Sequence, residues 1–351
     1  MIGGGALETP ALVVDLDRVE RNITSLQAYC DEHGLALRPH VKTHKLPQLA
    51  LAQLEAGAVG IACQKVGEAE VMAAAGIGDI LLTFPILGGR KADRLAALAG
   101  TARIAVVADS PQVADDVSRA ATAAGVEIGL LVDCDTGFGR TGVQTPQAAG
   151  ALASYAAGLP GLRVRGLATY PSVPESGPWL EEARDGLQGR GIDAGWISGG
   201  GTPGARATHE VPVVTELRAG TYVYGDRACV ADGSVALEDC ALHILATVVS
   251  TPTVDRAVVD AGSKALSSDH AAGTTGFGYL LEHPEAEIVK LSEEHGWVDV
   301  SRCDPRPELG DVVTILPNHC CVAVNLFDEV IVHRAGTVEE VWPVAARGRS
   351  R

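Results

Sequence analysis

Aromatic side chains are scarce in this chain, at 4% of its 351 residues, and positive charge is outnumbered by negative. Against 44 Asp and Glu there are 28 Lys and Arg, a formal net charge of -16, the opposite of the footprint that a nucleic acid or an anionic membrane selects. Neither partner is expected. No apolar run approaches the roughly 18 residues of a membrane span. The start, MIGGGALETP, has neither the basic nor the apolar stretch of a secretory signal. The 8 cysteines fall at irregular spacings, with Cys320 and Cys321 the one adjacent pair, so they make no disulfide framework. They read as reduced thiols of a cytoplasmic protein. Internal repeats, charge blocks and long linkers are missing as well.

What is there describes a soluble globular protein with a substantial core. Hydrophobic residues make up 46%, charged residues 21%, and the mean hydropathy is +0.15, outside the disordered and disulfide-scaffold classes. A length of 351, at about 150 residues per domain, allows two domains or one large barrel with an addition. The 41 glycines exceed the usual share of about 7%, which implies many tight turns and close backbone approaches.

From residue 17 to about 225, short apolar runs alternate with helical-period stretches, the pattern of buried parallel strands joined by helices. DRVERNITSLQAYCDEHG puts Val19, Ile23, Leu26 and Cys30 on one helical face and ends at Gly34, a C-cap residue. Eight strand candidates follow: ALRPHVK from Ala36, VGIACQ from Val59, DILLTFP from Asp79, RIAVVAD from Arg103, EIGLLVD from Glu127, RVRGLATY from Arg163, AGWISGG from Ala194 and TYVYG from Thr221. That arithmetic predicts a (β/α)8 barrel over 16–225, with a doubly wound sheet as the alternative. Beyond residue 226 the runs ALHILATVVS, RAVVDAG, EIVKL, GWVDV, DVVTILP and EVIVHRAG lack long helices between them and read as an antiparallel β domain. ALVVDLD, at Ala11 to Asp17, is a strand that can join it, so 1–15 and 226–351 form the second domain.

Chemistry in such a barrel sits where strands end. RPHVKTHK ends the first strand, and strand alternation puts Arg38, His40 and Lys42 on one side and Val41 and Thr43 on the other. A Lys facing a barrel mouth is desolvated toward a nucleophilic amine; the competing reading makes Lys42 a loop residue and Lys45 the exposed end. In VDCDTGFGR, Arg140 either pairs an anion in the mouth or salt-bridges Asp133 or Asp135. ISGGGTP frees successive backbone N–H groups for a phosphate, or is a plain tight turn. It is neither a Walker loop nor a dinucleotide fingerprint, which argues against ATP and NAD. In PNHCCVAVNL, His319 and Cys321 lie two apart and share a side of an extended strand, a zinc-type pair; a buried thiol beside a satisfied imidazole is the commoner outcome for H-x-C.

Together RPHVKTHK, TGFGRTG, ISGGGTP, ELRAGTYVYGD, DAGSKALSSD and PNHCCVAVNL resemble the alanine-racemase-like, fold-type III pyridoxal phosphate enzymes, in their D-serine dehydratase and D-threonine aldolase branch. The resemblance runs from TPALVVDLD to the H-x-C motif, nearly the whole chain. It implies Lys42 as the lysine that carries the cofactor and Arg140 beside the cofactor's phenolic oxygen. It implies Tyr170 beside the pyridine ring, and Ser198, Gly199, Gly200, Gly201 and Thr202 around the phosphate. Arg218, facing the pyridine nitrogen, and Tyr222 complete the cofactor set. His319 and Cys321 become ligands of a divalent metal, zinc first, with manganese or magnesium as alternatives.

The same branch builds homodimers whose sites draw on both subunits. Its aldolases tend to carry His-x-Asp and its dehydratases His-x-Cys, so the resemblance implies loss of water from a β-hydroxy-D-amino acid, giving a keto acid and ammonia. Retro-aldol cleavage is the alternative. A racemase, which needs no metal, and a non-catalytic pyridoxal phosphate-binding protein are the further ones. The departure from the family lies at TYPSVPESGPWLEEARDGL, where relatives carry a Gly-His-containing loop and a longer helix.

Overall fold

The computed structural model describes residues 7–351; the first six residues of the segment 1–15 placed above in the β domain lie outside them. Strand β1 (Ala11–Asp15) runs directly into helix α1 (Leu16–Glu32). Val19, Ile23, Leu26 and Cys30 are all buried, the apolar face that the sequence pattern defines. Gly34 follows at φ 66°, in the left-handed region that closes helices most cheaply at glycine.

Strands and helices then alternate: β2 (Ala36–Leu37), α2 (Pro47–Glu55), β3 (Ile61–Cys63), α3 (Val66–Ala74), β4 (Asp79–Leu82), α4 (Gly89–Ala99), β5 (Arg103–Ala108), α5 (Pro111–Ala124), β6 (Ile128–Cys134), α6 (Pro146–Ala157), β7 (Leu162–Thr169), α7 (Gly177–Gln188), β8 (Trp196–Gly199) and β9 (Glu216–Leu217). β2 to β9 form one sheet in the order β2-β9-β8-β7-β6-β5-β4-β3, every pair parallel. The two ends of that path meet. Val59 N–H donates to Leu37 O at 2.9 Å and Ala62 N–H to Pro39 O at 2.8 Å, and His40 bridges Ala62, closing a (β/α)8 barrel. Inside it Leu81, Ala105, Val107, Leu131 and Ala168 pack with Trp196. Gly166 tolerates no side chain, because a Cβ there falls 1.9 Å from the Trp196 carbonyl oxygen.

Two strand assignments are corrected. The eighth strand is Glu216–Leu217, and the TYVYG segment instead makes a 3-10 turn, Thr221–Val223. Its aromatic and β-branched composition suits a strand, but two residues suffice to fill the last gap in the barrel. The first strand stops at Leu37, and Val41–Thr43 is also a 3-10 turn, so strand alternation does not set the direction of Lys42.

The rest of the chain adds α8 (Arg227–Ala231), β10 (Leu242–Thr253), β11 (Arg256–Val259), α9 (Ser263–Leu266), β12 (Tyr279–Leu280), β13 (Glu287–Leu291), β14 (Gly296–Asp299), β15 (Val312–Leu316), α10 (Cys320–Leu326), β16 (Glu329–Arg334) and β17 (Thr337–Pro343). Its sheet runs β13-β14-β11-β10-β1-β16-β17, with β15 pairing β10 and β12. All pairs are antiparallel except β1 with β16. By contacts the chain divides into a barrel unit, Leu26–Lys42 with Pro47–Gly220 and Gly348–Arg351, and a β unit that holds Thr43–Leu46, Thr221–Arg347 and the first chain segment to Ser25. One of the five boundaries between them falls between Lys42 and Thr43. All eight cysteines are free thiols, and no described helix is long and apolar enough to cross a membrane.

Candidate active site

In the barrel unit, Lys42 sits in the 3-10 turn after β2, half-buried. Its backbone N–H donates to His40 Nδ1 at 3.4 Å, so that ring nitrogen carries no proton. His40 Nε2–H is then the donor toward Thr83 Oγ1 at 2.9 Å and Gln64 Oε1 at 3.1 Å, groups at the ends of β4 and β3. The His40 ring thus braces the Lys42 backbone. Lys45 belongs to the β unit, is 6% exposed and sends Nζ to the Ala346 carbonyl at 3.4 Å.

Arg140 does not pair with a neighbouring carboxylate. Its guanidinium stacks over the Tyr170 ring at 5.0 Å and the Phe138 ring at 5.1 Å. Asp133 is taken by the Thr141 hydroxyl at 2.8 Å, and burial outweighs that bond to raise its pKa. Asp135 accepts from the Gly139 and Gly137 N–H groups, which hold its pKa low.

The glycine turn after β8 lies against the segment after β7. A Cβ on Gly201 would meet the Tyr170 ring at 2.6 Å, and one on Gly199 the Ser172 Cβ at 3.0 Å. Gly200 is at φ 87°. Ser198 donates its hydroxyl to Glu216, so its side chain is committed below the turn, and Thr202 is buried beyond it. Two hydroxyls beside Gly200, Ser172 Oγ and Thr208 Oγ1, are buried with no hydrogen-bond partner. Arg218, 7% exposed, donates Nη2–H to the Thr169 carbonyl at 2.7 Å and leaves Nη1 without an acceptor. Burial lowers its pKa against the pull of Glu216 and Asp133. Ser172 and Thr208 were not among the residues expected at the site; Ser172 lies in the segment that departs from the family, where the motif offers no guide.

In the β unit, His319 and Cys321 do come together, by another route than a strand. His319 is the N-cap of α10 and Cys321 lies in its first turn, where each shifts the other's pKa. His319 Nδ1–H donates to Asp226 Oδ2 at 2.9 Å. Asp226 is fully buried and also takes the backbone N–H groups of Cys320 at 3.1 Å and Cys229 at 2.9 Å. Burial disfavours charge on His319, yet the bonds to Asp226 and Cys321 prevail and raise its pKa to about 10. The Cys320 hydrogen bond and then His319 hold the Cys321 thiol well below its usual pKa, against burial. Thr43 Oγ1 lies 3.3 Å from Cys321 Sγ. A histidine whose second nitrogen is fixed by a carboxylate, beside a thiolate, is the ligand chemistry of zinc. Among the described residues no cluster of three His, Cys, Asp or Glu forms a metal cage. Tyr222 also belongs to this unit and is buried. Asp226 was legible only as the last letter of ELRAGTYVYGD, and Thr43 as the neighbour of Lys42.

The profile of the alanine racemase N-terminal domain matches residues 14–228. The chain belongs to the alanine-racemase-like family of fold-type III enzymes. A second profile, that of a putative serine dehydratase domain, matches residues 241–333 and covers the His319 and Cys321 pair. A D-threonine aldolase of Arthrobacter sp is 38% identical, over 98% of this chain and 94% of that protein. A D-threo-3-hydroxyaspartate dehydratase of Delftia sp. (strain HT23) is 33% identical over 96% and 97%. The crystal structure of a D-threonine aldolase from Filomicrobium marinum superposes with a TM-score of 0.92 at 34% identity, covering 99% of this chain and 98% of that one. Solved variants of a D-threo-3-hydroxyaspartate dehydratase replace a histidine and, two positions on, a cysteine, the latter in a metal-free form. Pyridoxal phosphate is the cofactor of this alanine-racemase-like family, and the barrel unit fits it: orphaned hydroxyls and a side-chain-free turn for the phosphate, and an orphaned guanidinium nitrogen at Arg218.

Proposed function

We propose that this chain is a pyridoxal phosphate- and divalent-metal-dependent lyase that eliminates water from β-hydroxy-D-amino acids. The observation that carries this reading is the His319–Cys321 pair at the head of α10, braced through Nδ1 by buried Asp226. It has the histidine and cysteine spacing of the dehydratase variants.

Lys42 would anchor the cofactor, and its Nζ, set free once the substrate amine has taken its place, would take the proton from the substrate Cα. Pyridoxal phosphate supplies the sink for the charge left on that carbon. Gly199, Gly200, Gly201 and Thr202 hold the phosphate, with Ser172 and Thr208 as added hydroxyl donors. Arg140 would lie beside the phenolic oxygen and Tyr170 beside the pyridine ring, and Arg218 would face the ring nitrogen. Tyr222 completes the set. His319 and Cys321 hold the metal, zinc before manganese or magnesium, which supplies Lewis acidity at the β-hydroxyl. Water leaves, and the enamine so released hydrolyses to a keto acid and ammonia.

The likeness to the two D-threonine aldolases favours a second reading, cleavage between Cα and Cβ to glycine and an aldehyde. Incubation of the metal-loaded holoenzyme with D-serine, D-threonine and D-threo-3-hydroxyaspartate separates the two. Ammonia and keto acid support elimination, whereas glycine and aldehyde without ammonia overturn it. We further propose a C2 homodimer in the cytoplasm, a setting that suits eight free thiols. Light scattering at assay concentration tests the dimer: a fully active species with the mass of one 36.2 kDa chain refutes it.

A further inference from the structure

The barrel has a cavity, of about 510 Å3, at the end opposite Lys42 and the glycine turn. Its lining gathers residues at or just before the starts of barrel strands, and Ala36, Ala105, Gly129 and Gly195 make the room. This end of such a barrel is ordinarily packed for stability. Here most of the charge is matched internally. Arg38 donates to Glu216 at 2.8 Å and to Asp79 at 2.7 Å and lies 5.0 Å from the Trp196 ring, while Arg103 meets Asp79 at 2.9 Å.

Two donors in the lining are left over. The Nε–H of Arg165 and the Nε1–H of Trp196 are both buried and have no acceptor. A buried donor without a partner is costly, and a roomy concavity with a few polar groups in its lining is the mark of a small-molecule site. Glu127 lines the same cavity and is exposed. The formal charges of the lining, Arg38, Arg103 and Arg165 against Asp79, Glu127 and Glu216, cancel. A plain anion would enter uncompensated, whereas a zwitterion is matched at both of its ends.

We infer that this cavity binds a small zwitterionic amino acid, its carboxylate on the Arg165 and Trp196 donors and its ammonium toward Glu127. The site is separate from the catalytic one and does not depend on which lyase reaction the enzyme runs.

N,N-Dimethylglycine is the probe of choice, because a tertiary amine keeps the zwitterion yet cannot condense with pyridoxal phosphate. Calorimetric titration of the holoenzyme should show one binding event. Trp196→Phe, which removes only the indole N–H and keeps the ring, should weaken it at least tenfold, and Arg165→Ala and Glu127→Gln should do likewise. Acetate, the carboxylate half alone, should bind at least tenfold more weakly than the probe. Absence of binding by the wild type overturns the inference, as does equal affinity in Trp196→Phe. Acetate binding as tightly as the probe overturns the zwitterion and leaves a simple anion site.

Discussion

The Thr43 hydroxyl lies 3.3 Å from the Cys321 sulfur, and Thr43 is the residue that follows Lys42. The lysine proposed to carry the cofactor and a contact to the proposed metal ligand Cys321 are therefore consecutive in the sequence. Thr43→Val keeps the shape and removes the hydroxyl. Metal affinity should fall by about tenfold, the usual effect of losing a group that orients a ligand, while the cofactor absorbance persists. Zinc titration against a competing chelator reads this, and an unchanged affinity would make the contact incidental.

Asp226 fixes His319 through Nδ1 and ties two backbone N–H groups besides. Asp226→Asn keeps the volume and gives up the charge. The variant should bind metal roughly 10- to 100-fold more weakly, and excess metal should restore turnover. Failure of saturating zinc to restore it would mean that Asp226 acts elsewhere.

Lys42→Ala should abolish the yellow cofactor absorbance. Lys45→Ala should keep the colour and lower the melting temperature, since Lys45 is buried and bonded to the Ala346 carbonyl. Loss of colour in Lys45→Ala alone would reverse the assignment of the two lysines.

His243, in β10, is 4% exposed, with Nε2 unpartnered. Burial first, then Arg18 and His333, push its pKa from 6.5 down to about 4, with Asp15 acting the other way. The folded chain therefore keeps this ring neutral. Between pH 6.5 and pH 4 the unfolded chain takes up a proton that the fold refuses, so the stability contribution is complete above the upper value and drains away on acidification. Across the window it amounts to about 3 kcal/mol. Denaturant unfolding at neutral pH and near pH 4.5 should show a smaller difference in His243→Leu than in the wild type. An equal difference would assign the acid sensitivity to other groups.

Most of the barrel was legible because its strands are short apolar runs separated by Ala- and Leu-rich helices, a contrast that survives without knowledge of neighbours. β9 was not, because two residues, Glu216 and Leu217, carry no period; they extend because β2 and β8 flank them. The phase argument for Lys42 failed for a related reason: the chain leaves the strand at Leu37 and turns. The H-x-C pair was found by residue type and placed on the wrong element, since i and i+2 share a side on a strand but not in a helix. The helix cap at His319 brings the two together instead. Asp226, remote in sequence from His319, Arg165 and Trp196 become noticeable only once the fold shows what surrounds them.

Seven of the eight free thiols are buried, and Cys321 alone is partly accessible. A bulky maleimide therefore meets one address on an otherwise inert chain, and the Cys320 and His319 neighbours that hold the Cys321 pKa low speed its reaction there. Metal held as proposed on His319 and Cys321 would mask that sulfur. The rate of labelling becomes a gauge of metal occupancy that needs no substrate, and a fluorophore or spin label placed there reports from the mouth of α10 without any cysteine having to be engineered away.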